Sequence, residues 1–305
     1  MTEDSTLAQA YAVCRAIAKR EAKNFYYSFV ALPAARRDAI CAIYAFMRKA
    51  DDLSDDESIP LDERRKNMAA WREKWRETAA GVATTNPVFI AVRDAIARFN
   101  IPLELLEELI DGTTMDLDRA PGSADSPDTY ATFDDLYRYC YLVASVVGLV
   151  CIRIFGYSDK RAEKLAEETG IAFQLTNILR DVAEDAARNR VYLPLDELSA
   201  NGVSVDGLLH RPAGSAPSVQ ERALLASIGA RAEKYYESAR ELLPLIDTES
   251  RPALWVLVRI YRRLLIRMKE ADYDVFSRRV AVPTYQKLEI LAVGMTRMAF
   301  VRIFG

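Results

Sequence analysis

The chain has 305 residues, of which 50% are hydrophobic and 28% charged, and its formal net charge is −3. This length and apolar content are enough for a large buried core, and the near-neutral balance excludes the concentrated basic excess that nucleic-acid binding requires. The single histidine, His210, excludes histidine-based triads and multi-histidine metal sites, and its position in a polar loop predicts a solvated side chain.

Cysteine usage and the N-terminus indicate the compartment. Cys14, Cys41, Cys140 and Cys151 are widely spread without a CxxC pair, so we predict buried thiols rather than disulfides or a zinc site. The N-terminus begins acidic and lacks a basic leader followed by an apolar block. The longest apolar run, residues 141–152, is shorter than the roughly 20 residues that span a bilayer. We expect a cytoplasmic protein without a transmembrane segment, able to associate peripherally with the inner membrane face.

Apolar residues recur at helical spacing along almost the whole chain, and the alternation typical of strands is scarce. Prolines precede several of these segments, as they do at helix starts. The pattern predicts helices at 7–30, 34–54, 61–80, 87–99, 102–118, 131–155, 159–186, 218–244, 249–272 and 283–303, with loops at 119–129 and 200–217. Neither loop resembles an interdomain linker and no repeat occurs, so we predict one all-α domain over 1–305.

The second predicted helix ends in "RKADDLSDD" (48–56), which crowds four aspartates together. Like charges repel at this spacing and Asp is a poor helix former, so local stability does not explain the stretch. Asp51 and Asp55 are four residues apart, which places both carboxylates on one helix face, one turn apart. Taken alone, the stretch is equally compatible with a solvated helix end.

A second polar array lies in "QLTNILRDVAED" (174–185). Asn177, Asp181 and Asp185 follow one another at four-residue spacing, and Gln174 lies one turn before them. The apolar residues between them predict a well-packed helix whose acids border the interior. Taken alone, this segment is also compatible with an ordinary charged helix.

Carboxylates beside a low-dielectric interior are costly unless a cation shares the space. Oxygen ligands without His or Cys suit Mg²⁺, with Mn²⁺ as the alternative, and Mg²⁺ completes its coordination with water and phosphate oxygens. Each acidic face has an arginine nearby, Arg48 and Arg180, and arginine binds phosphate oxygens in bidentate fashion. The two arrays together therefore predict ions that clamp a diphosphate.

These residues also carry a family resemblance. "YAFMRKADDLSDD", "YCYLVASVVG" and "AFQLTNILRDVAEDAARNRVYLP" resemble the signatures of the squalene and phytoene synthase family, the head-to-head prenyltransferases, from about residue 20 to residue 290. Within the family, "NFYYSFVALPAARRDAICAIYAF" and "EDAARNRVYLP" most resemble bacterial presqualene diphosphate synthases of the hopanoid pathway. Phytoene and dehydrosqualene synthases share much of the sequence of these two segments.

The resemblance implies an isoprenoid synthase helical bundle with a central apolar cavity. It implies Mg²⁺-dependent 1'-2-3 condensation of two farnesyl diphosphates to presqualene diphosphate with release of diphosphate, and NADPH is not expected for that step. The alternative is a phytoene or dehydrosqualene synthase of carotenoid biosynthesis. Prenyl diphosphates, and downstream pathway enzymes, would be the partners. Two other classes stay open: a terpene cyclase or head-to-tail synthase, and a non-catalytic helical binding protein.

The resemblance also assigns roles to single residues. The implied metal ligands are Asp51, Asp52, Asp55, Asn177, Asp181 and Asp185. The implied catalytic residues are Tyr44, Arg48, Asp51, Asp55, Asp181 and Asp185. The implied substrate contacts are Arg48, Gln174, Arg180, Tyr192, Tyr261 and Arg279. One departure occurs at "EAKNF", where Ala22 and Lys23 replace small hydroxyl residues of the family; Lys23 and Asn24 are the substitute donors.

The segment "YCYLVASVVGLV" is suited to form one wall of a water-free chamber for a carbocation. Ala144 and Gly148 leave room, and Val143 and Val147 keep the surface apolar. A close helix–helix contact that uses the same small residues is the alternative. Aromatic faces stabilise cations, and the candidates for this role are Phe25, Tyr44 and Tyr139.

Overall fold

The computed structural model describes residues 3–56, 58–118, 128–212 and 214–304, and this part of the chain is mostly helical, as predicted. The α-helices are α1 Glu3–Glu21, α2 Lys23–Val30, α3 Ala34–Asp55, α4 Leu61–Ala79, α5 Pro87–Phe99, α6 Leu103–Asp118, α7 Phe133–Cys140, α8 Val146–Phe155, α9 Arg161–Ala186, α10 Leu195–Ala200, α11 Val205–Leu209, α12 Val219–Leu242, α13 Arg251–Glu270 and α14 Thr284–Phe304. A π-helical turn, Tyr141–Ser145, joins α7 to α8, and a 3₁₀ turn, Leu243–Leu245, follows α12.

Local sequence explains where several helices begin. The side chain of Asn86 accepts hydrogen bonds from the first amides of α5, and Pro87 takes the first helical position, where no donor is needed. Thr132 with Asp135, and Ser218 with Glu221, form capping boxes at the starts of α7 and α12.

The structure departs from the predicted elements at several places, including the short helix α10, where no element was predicted. The helix predicted at 7–30 is broken at Ala22, so that α1 and α2 are separate. The helix predicted at 131–155 contains the π turn. The loop predicted at 200–217 contains α11, and two short strands, β1 Asp128–Thr129 and β2 Arg190–Val191, pair in parallel. This pairing ties the segment before α7 to the segment after α9.

The buried side chains form two clusters. One acidic helix, α3, belongs to the first cluster, and most of the other, α9, belongs to the second. The first cluster includes α3 and centres on the aromatic residues Phe46, Trp75 and Phe89. The second includes the later part of α9, from Ile171 to Val182, together with most of the buried apolar residues of α12 and α13. The early part of α9 contributes Ala162 and Ala166 to the first cluster. Phe25 of α2 packs against both clusters, so α2 lies where the two halves of the core meet.

The segment Phe133–Phe155 is the one part of the described chain that is long and apolar enough to cross a membrane by length and composition. It packs against α6 and α9, and α8 also contacts α3. Cys140 and Val150 within it are fully buried. These contacts are those of a helix in the core of a bundle.

Burial of the cysteines is confirmed for three of the four. All four are free; Cys14, Cys41 and Cys140 are buried, whereas Cys151 is half-buried. Burial raises the pKa of the Cys14 thiol to about 12, which keeps it protonated and unreactive at neutral pH.

Candidate active site

The first acidic array occupies the last turn of α3. Arg48 binds Asp52 on the next turn, with 2.7 Å between Nε and Oδ1, and Lys49 lies 3.5 Å from the other oxygen of Asp52. Asp52 is therefore held in an ion pair in this state. Asp51 is half-buried, and Asp55 is exposed at the helix end, one turn further along the same face.

A basic residue from the next helix fixes the end of α3. Arg64 of α4 donates from Nη1 to the backbone oxygen of Ser54 at 2.7 Å, which satisfies one of the carbonyl groups that a helix end leaves unpaired. The hydroxyl of Ser54 in turn donates to the carbonyl oxygen of Asp51 at 3.0 Å. These bonds hold a turn whose aspartates would otherwise repel one another.

The second array lies on α9, where three of the predicted site residues, Arg180, Asp181 and Arg279, form one cluster. Arg180 binds both carboxylate oxygens of Asp181, and Arg279 reaches Asp181 from the segment before α14, with 3.0 Å between Nη2 and Oδ1. The amide nitrogen of Asn177 donates to Gln174 at 3.3 Å. The amide oxygen of Asn177 is buried and has no hydrogen-bond partner within the described chain.

Asp185 ends this array in a confined position. It borders a void of about 10 Å³, which Tyr192 and Ala186 also line. Burial, together with the nearby Asp181 carboxylate, raises the pKa of Asp185 from 3.8 to about 7. A carboxyl group in this condition gains from a cation nearby, because the cation offsets the loss of solvation.

Aromatic side chains of α2 and α13 link the two arrays. Phe29 meets Tyr44 of α3 edge-on, with 6.0 Å between ring centroids, and Phe25 lies 5.7 Å from Tyr261 of α13. Tyr261 stacks on Phe173 of α9 at 4.6 Å. Because Phe25 and Phe29 are one turn apart on α2, a continuous aromatic path joins the α3 array to the α9 array.

Both site tyrosines remain protonated at neutral pH. Burial raises the pKa of Tyr261 to about 12, against the opposing effects of Arg180 and the Asn177 amide. Burial also raises the pKa of Tyr44 to about 12, although the nearby Arg48 lowers it. Their hydroxyls are therefore available as hydrogen-bond donors.

The donor set fits a hard divalent cation. The buried oxygen of Asn177 lacks a donor, Asp185 lacks a compensating charge sufficient to keep its pKa low, and Asp181 is one turn from each. Mg²⁺ prefers such oxygen ligands and needs only one or two carboxylates per ion. Within the described residues, the structure gathers no group of three His, Cys, Asp or Glu side chains around one point, as a closed structural metal site would.

Comparisons with known proteins identify the family. The sequence profile described as squalene/phytoene synthase matches residues 7–286. The chain belongs to the squalene/phytoene synthase family. Members of this family are prenyltransferases, and the fold and chemistry described above agree with that class.

Individual relatives cover nearly the full chain. A phytoene synthase of Arthrospira platensis is 33% identical over 97% of this chain and 96% of its own length, and one of Mycobacterium tuberculosis is 34% identical over 97% and 92%. Among solved structures, a dehydrosqualene synthase matches with a TM-score of 0.83 at 29% identity, covering 96% of this chain and 98% of its own. The squalene synthase HpnC from Alicyclobacillus acidocaldarius matches with a TM-score of 0.77 at 28% identity, covering 88% and 96%.

The wall predicted for the family's chamber divides into two parts. Val143, Ala144 and Val147 are half-buried, whereas Gly148 serves a helix contact, since a Cβ there would lie 2.9 Å from the carbonyl oxygen of Ala166. Gly148 thus follows the alternative interpretation of these small residues.

Tyr139 also packs away from open space. Its ring stacks on that of Tyr192 with 5.0 Å between centroids, and the two hydroxyls are 3.3 Å apart. Tyr130, which follows β1, contacts both rings, and its centroid lies 5.5 Å from that of Tyr139 and 5.8 Å from that of Tyr192. Tyr192 is buried, so it belongs to the wall beside Asp185.

Lys287 is a candidate that the sequence analysis missed. It is half-buried on α14, its ammonium lies 5.9 Å from the ring centroid of Tyr27, and burial together with the nearby Arg180 lowers its pKa. Two adjacent cations indicate a place for an anion. A lone lysine four residues after Pro283 gives no such signal in the sequence. The side chains of Lys23 and Asn24, the substitute donors, lie outside the described residues.

Proposed function

We propose that this chain joins two identical prenyl diphosphates head to head, with release of diphosphate, at the site between α3 and α9. The observation that carries the proposal is the pair of acidic arrays on separate helices, linked by aromatic rings. One array presents the buried, unpartnered oxygen of Asn177 beside the uncompensated Asp185. A non-catalytic helical protein has no need for these costly groups.

On ligand binding, the arginines of the site would exchange their carboxylate partners for the diphosphate, and the carboxylates would bind Mg²⁺ instead. Arg48 and Asp52 are each about 40% exposed, and a pair this exposed contributes no more than about 1 kcal/mol. A diphosphate can therefore take Arg48 from Asp52. Arg180 and Asp181 are each less than 20% exposed, so a diphosphate would take Arg180 and Arg279 only when a metal ion binds Asp181 at the same time. Lys287 would add a fourth positive charge. Asp51, Asp55, Asn177, Asp181 and Asp185 would hold Mg²⁺, which stabilises negative charge on the departing diphosphate.

The aromatic and apolar side chains of the site would protect the allylic cation that remains when the C–O bond of the substrate breaks. Phe25, Tyr44 and Phe173 offer ring faces to such a cation, and half-buried valines exclude water. The double bond of the second substrate then attacks the cation, and loss of a proton closes a cyclopropane. Tyr261 lies between Phe25 and Phe173 and would orient the substrate through its protonated hydroxyl.

Geranylgeranyl diphosphate is the first substrate to test, because the relatives that are 33% and 34% identical are phytoene synthases. The comparisons thus favour the alternative that the sequence analysis placed after presqualene diphosphate. Farnesyl diphosphate is the second candidate, supported by the dehydrosqualene and squalene synthase structures at 29% and 28% identity. We retain with this proposal the single domain over 1–305 and a cytoplasmic location.

Product analysis tests the proposal. The purified chain is incubated with each diphosphate, with MgCl₂ or with EDTA, and with or without NADPH, and the products are identified by mass spectrometry. We expect magnesium-dependent release of diphosphate and a head-to-head product from one substrate. Absence of diphosphate release from both substrates would refute the proposal, and a monomeric cyclic terpene would favour a cyclase instead.

A further inference from the structure

A non-helical segment, residues 271–283, connects α13 to α14 and carries Arg279 to the site; we call it the Arg279 segment. The guanidinium nitrogens of Arg279 lie 3.0 Å from a carboxylate oxygen of Asp181 and 3.2 Å from one of Glu184. Within the described residues, no backbone–backbone hydrogen bond involves positions 278–282. Side-chain contacts must therefore hold this part of the segment in place.

Phe276 is the aromatic residue closest to Arg279 along the chain. It is buried in the second core cluster, three residues before Arg279. The guanidinium carbon of Arg211, from the loop before α12, lies 3.9 Å from the centroid of its ring. The quadrupole of an aromatic ring attracts a cation over its face, and the attraction is stronger when both groups are shielded from water. Arg211 thus covers the anchor of the Arg279 segment.

Arg211 is itself held firmly. Its side chain is 14% exposed, one guanidinium nitrogen binds Glu221, and Nη2 donates to the backbone oxygen of Ala216 at 2.7 Å. Glu221 also accepts a hydrogen bond from the backbone amide of Ser218 at 2.6 Å, within the capping box of α12. Burial alone would raise the pKa of Glu221, but these hydrogen bonds hold it below its ordinary value, so the acid is ionised. The stacked guanidinium is therefore tied to the first turn of a long helix.

A second arginine contacts the Arg279 segment farther from the site. Arg222 of α12 donates to the carboxylate of Asp272 at 2.6 Å. These two side chains are 39% and 72% exposed, and ion pairs this exposed contribute little. The shielded contact between Arg211 and Phe276 is the stronger restraint, and it is also the one closer to Arg279.

We propose that Arg211 is a positioning residue of the active site: by holding Phe276, it fixes the Arg279 segment so that Arg279 stays beside Asp181, where it can bind diphosphate. Arg211 acts through Phe276 and makes no contact with the reacting groups. The role toward diphosphate rests on the proposed function, whereas the role in placing Arg279 rests on the contacts alone.

Limited proteolysis of the full chain with trypsin tests the placement without any ligand. Arg278 and Arg279 are exposed cleavage sites, and cleavage there requires the segment to leave its docked position. The test variants are Arg211→Met and Phe276→Leu. The second variant keeps a buried apolar side chain and leaves the ion pair of Glu221 intact, so it remains informative if the first does not fold.

A matched control removes a similar arginine elsewhere. Arg231 lies 4.0 Å from the ring centroid of Phe133 and is paired with Glu197, so Arg231→Met loses the same kinds of contact away from the Arg279 segment. We expect cleavage after Arg278 or Arg279, identified by fragment mass, to be about tenfold faster in both test variants and unchanged in the control. An unchanged rate in Phe276→Leu, or an equal increase in the control, would overturn the proposal.

Calorimetric titration with inorganic diphosphate and MgCl₂ tests the link to the site. We expect Phe276→Leu to weaken diphosphate binding about fivefold in the parent background and to have no further effect in the Arg279→Gln background, because it acts through Arg279. Unchanged binding in Phe276→Leu, or equal weakening in both backgrounds, would refute the positioning role. If the parent does not bind diphosphate while the trypsin results are as expected, the proposed function fails and the placement of Arg279 by Arg211 stands.

Discussion

Replacement of Asp185 by asparagine tests the charge state of the site in the metal-free protein. The pKa of Asp185 is raised from 3.8 to about 7, mainly by burial and next by Asp181. Between these two values the folded chain keeps a proton that the unfolded chain has lost. Stability therefore falls as pH rises across this window, by about 1.4 kcal/mol per pH unit, and becomes level above pH 7. An asparagine side chain at this position cannot ionise, so the variant does not show this loss.

The full window corresponds to about 4 kcal/mol, which is an upper limit because relaxation and water penetration reduce it. The measurement is urea-induced unfolding in EDTA at several pH values between 5 and 8. We expect the free energy of unfolding of Asp185→Asn, relative to the parent, to increase steadily up to about pH 7 and then stay constant.

A carboxylate with the opposite shift provides the control. Arg161 hydrogen-bonds to Asp159 and lowers its pKa below 3.8, so Asp159 is ionised in both states throughout this range. The stability difference for Asp159→Asn should not change with pH between 5 and 8. If Asp185→Asn gives the same flat profile, or one that falls with pH, the account of a buried uncompensated carboxyl is wrong.

Three further predictions concern packing, metal and substrate. In Gly170→Ala, the new Cβ would lie 2.6 Å from the Cα of Ser145, so we expect a loss of about 2 kcal/mol or more in urea-induced unfolding, and an unchanged stability would contradict the close approach. Asn177→Leu fills the same space without an oxygen, so the magnesium concentration for half-maximal activity should rise about tenfold or more while the unfolding temperature is kept; an unchanged value would exclude Asn177 as a ligand. Lys287→Ala should raise KM for the diphosphate by about tenfold and Lys287→Arg should restore it, whereas equal loss in both variants would indicate a structural role.

Much of the helical framework could be predicted because local rules set it. Pro33, Pro60, Pro102 and Pro283 each directly precede a helix, and Pro87 begins one. The four-residue spacing of the acidic arrays likewise predicts a common helix face. The Arg48–Asp52 pair also obeys this local rule, since its members are one turn apart.

Tertiary contacts decide the features that could not be predicted. The π turn at Tyr141–Ser145 forms where Gly170 of α9 allows the two backbones to approach, and nothing in "YLVAS" marks it. The break at Ala22 has neither Pro nor Gly to signal it. The pairing of Arg279 with Asp181 spans 98 residues, so only the fold brings the two together.

Some carboxylates of the site have an arginine partner and others do not, and this difference predicts the order in which metal and diphosphate bind. On each array one carboxylate, Asp52 or Asp181, is neutralised by arginine, while another, Asp55 or Asp185, has no ion pair within the described chain. Asp181 and Arg180 are each less than 20% exposed, so removing both Arg180 and Arg279 from Asp181 in an empty site would leave Arg180 and Asp181 as poorly solvated charges. A cation for Asp181 and an anion for Arg180 must therefore arrive together. The metal and the diphosphate are thus expected to bind cooperatively on α9, and more independently at the exposed Arg48–Asp52 pair on α3.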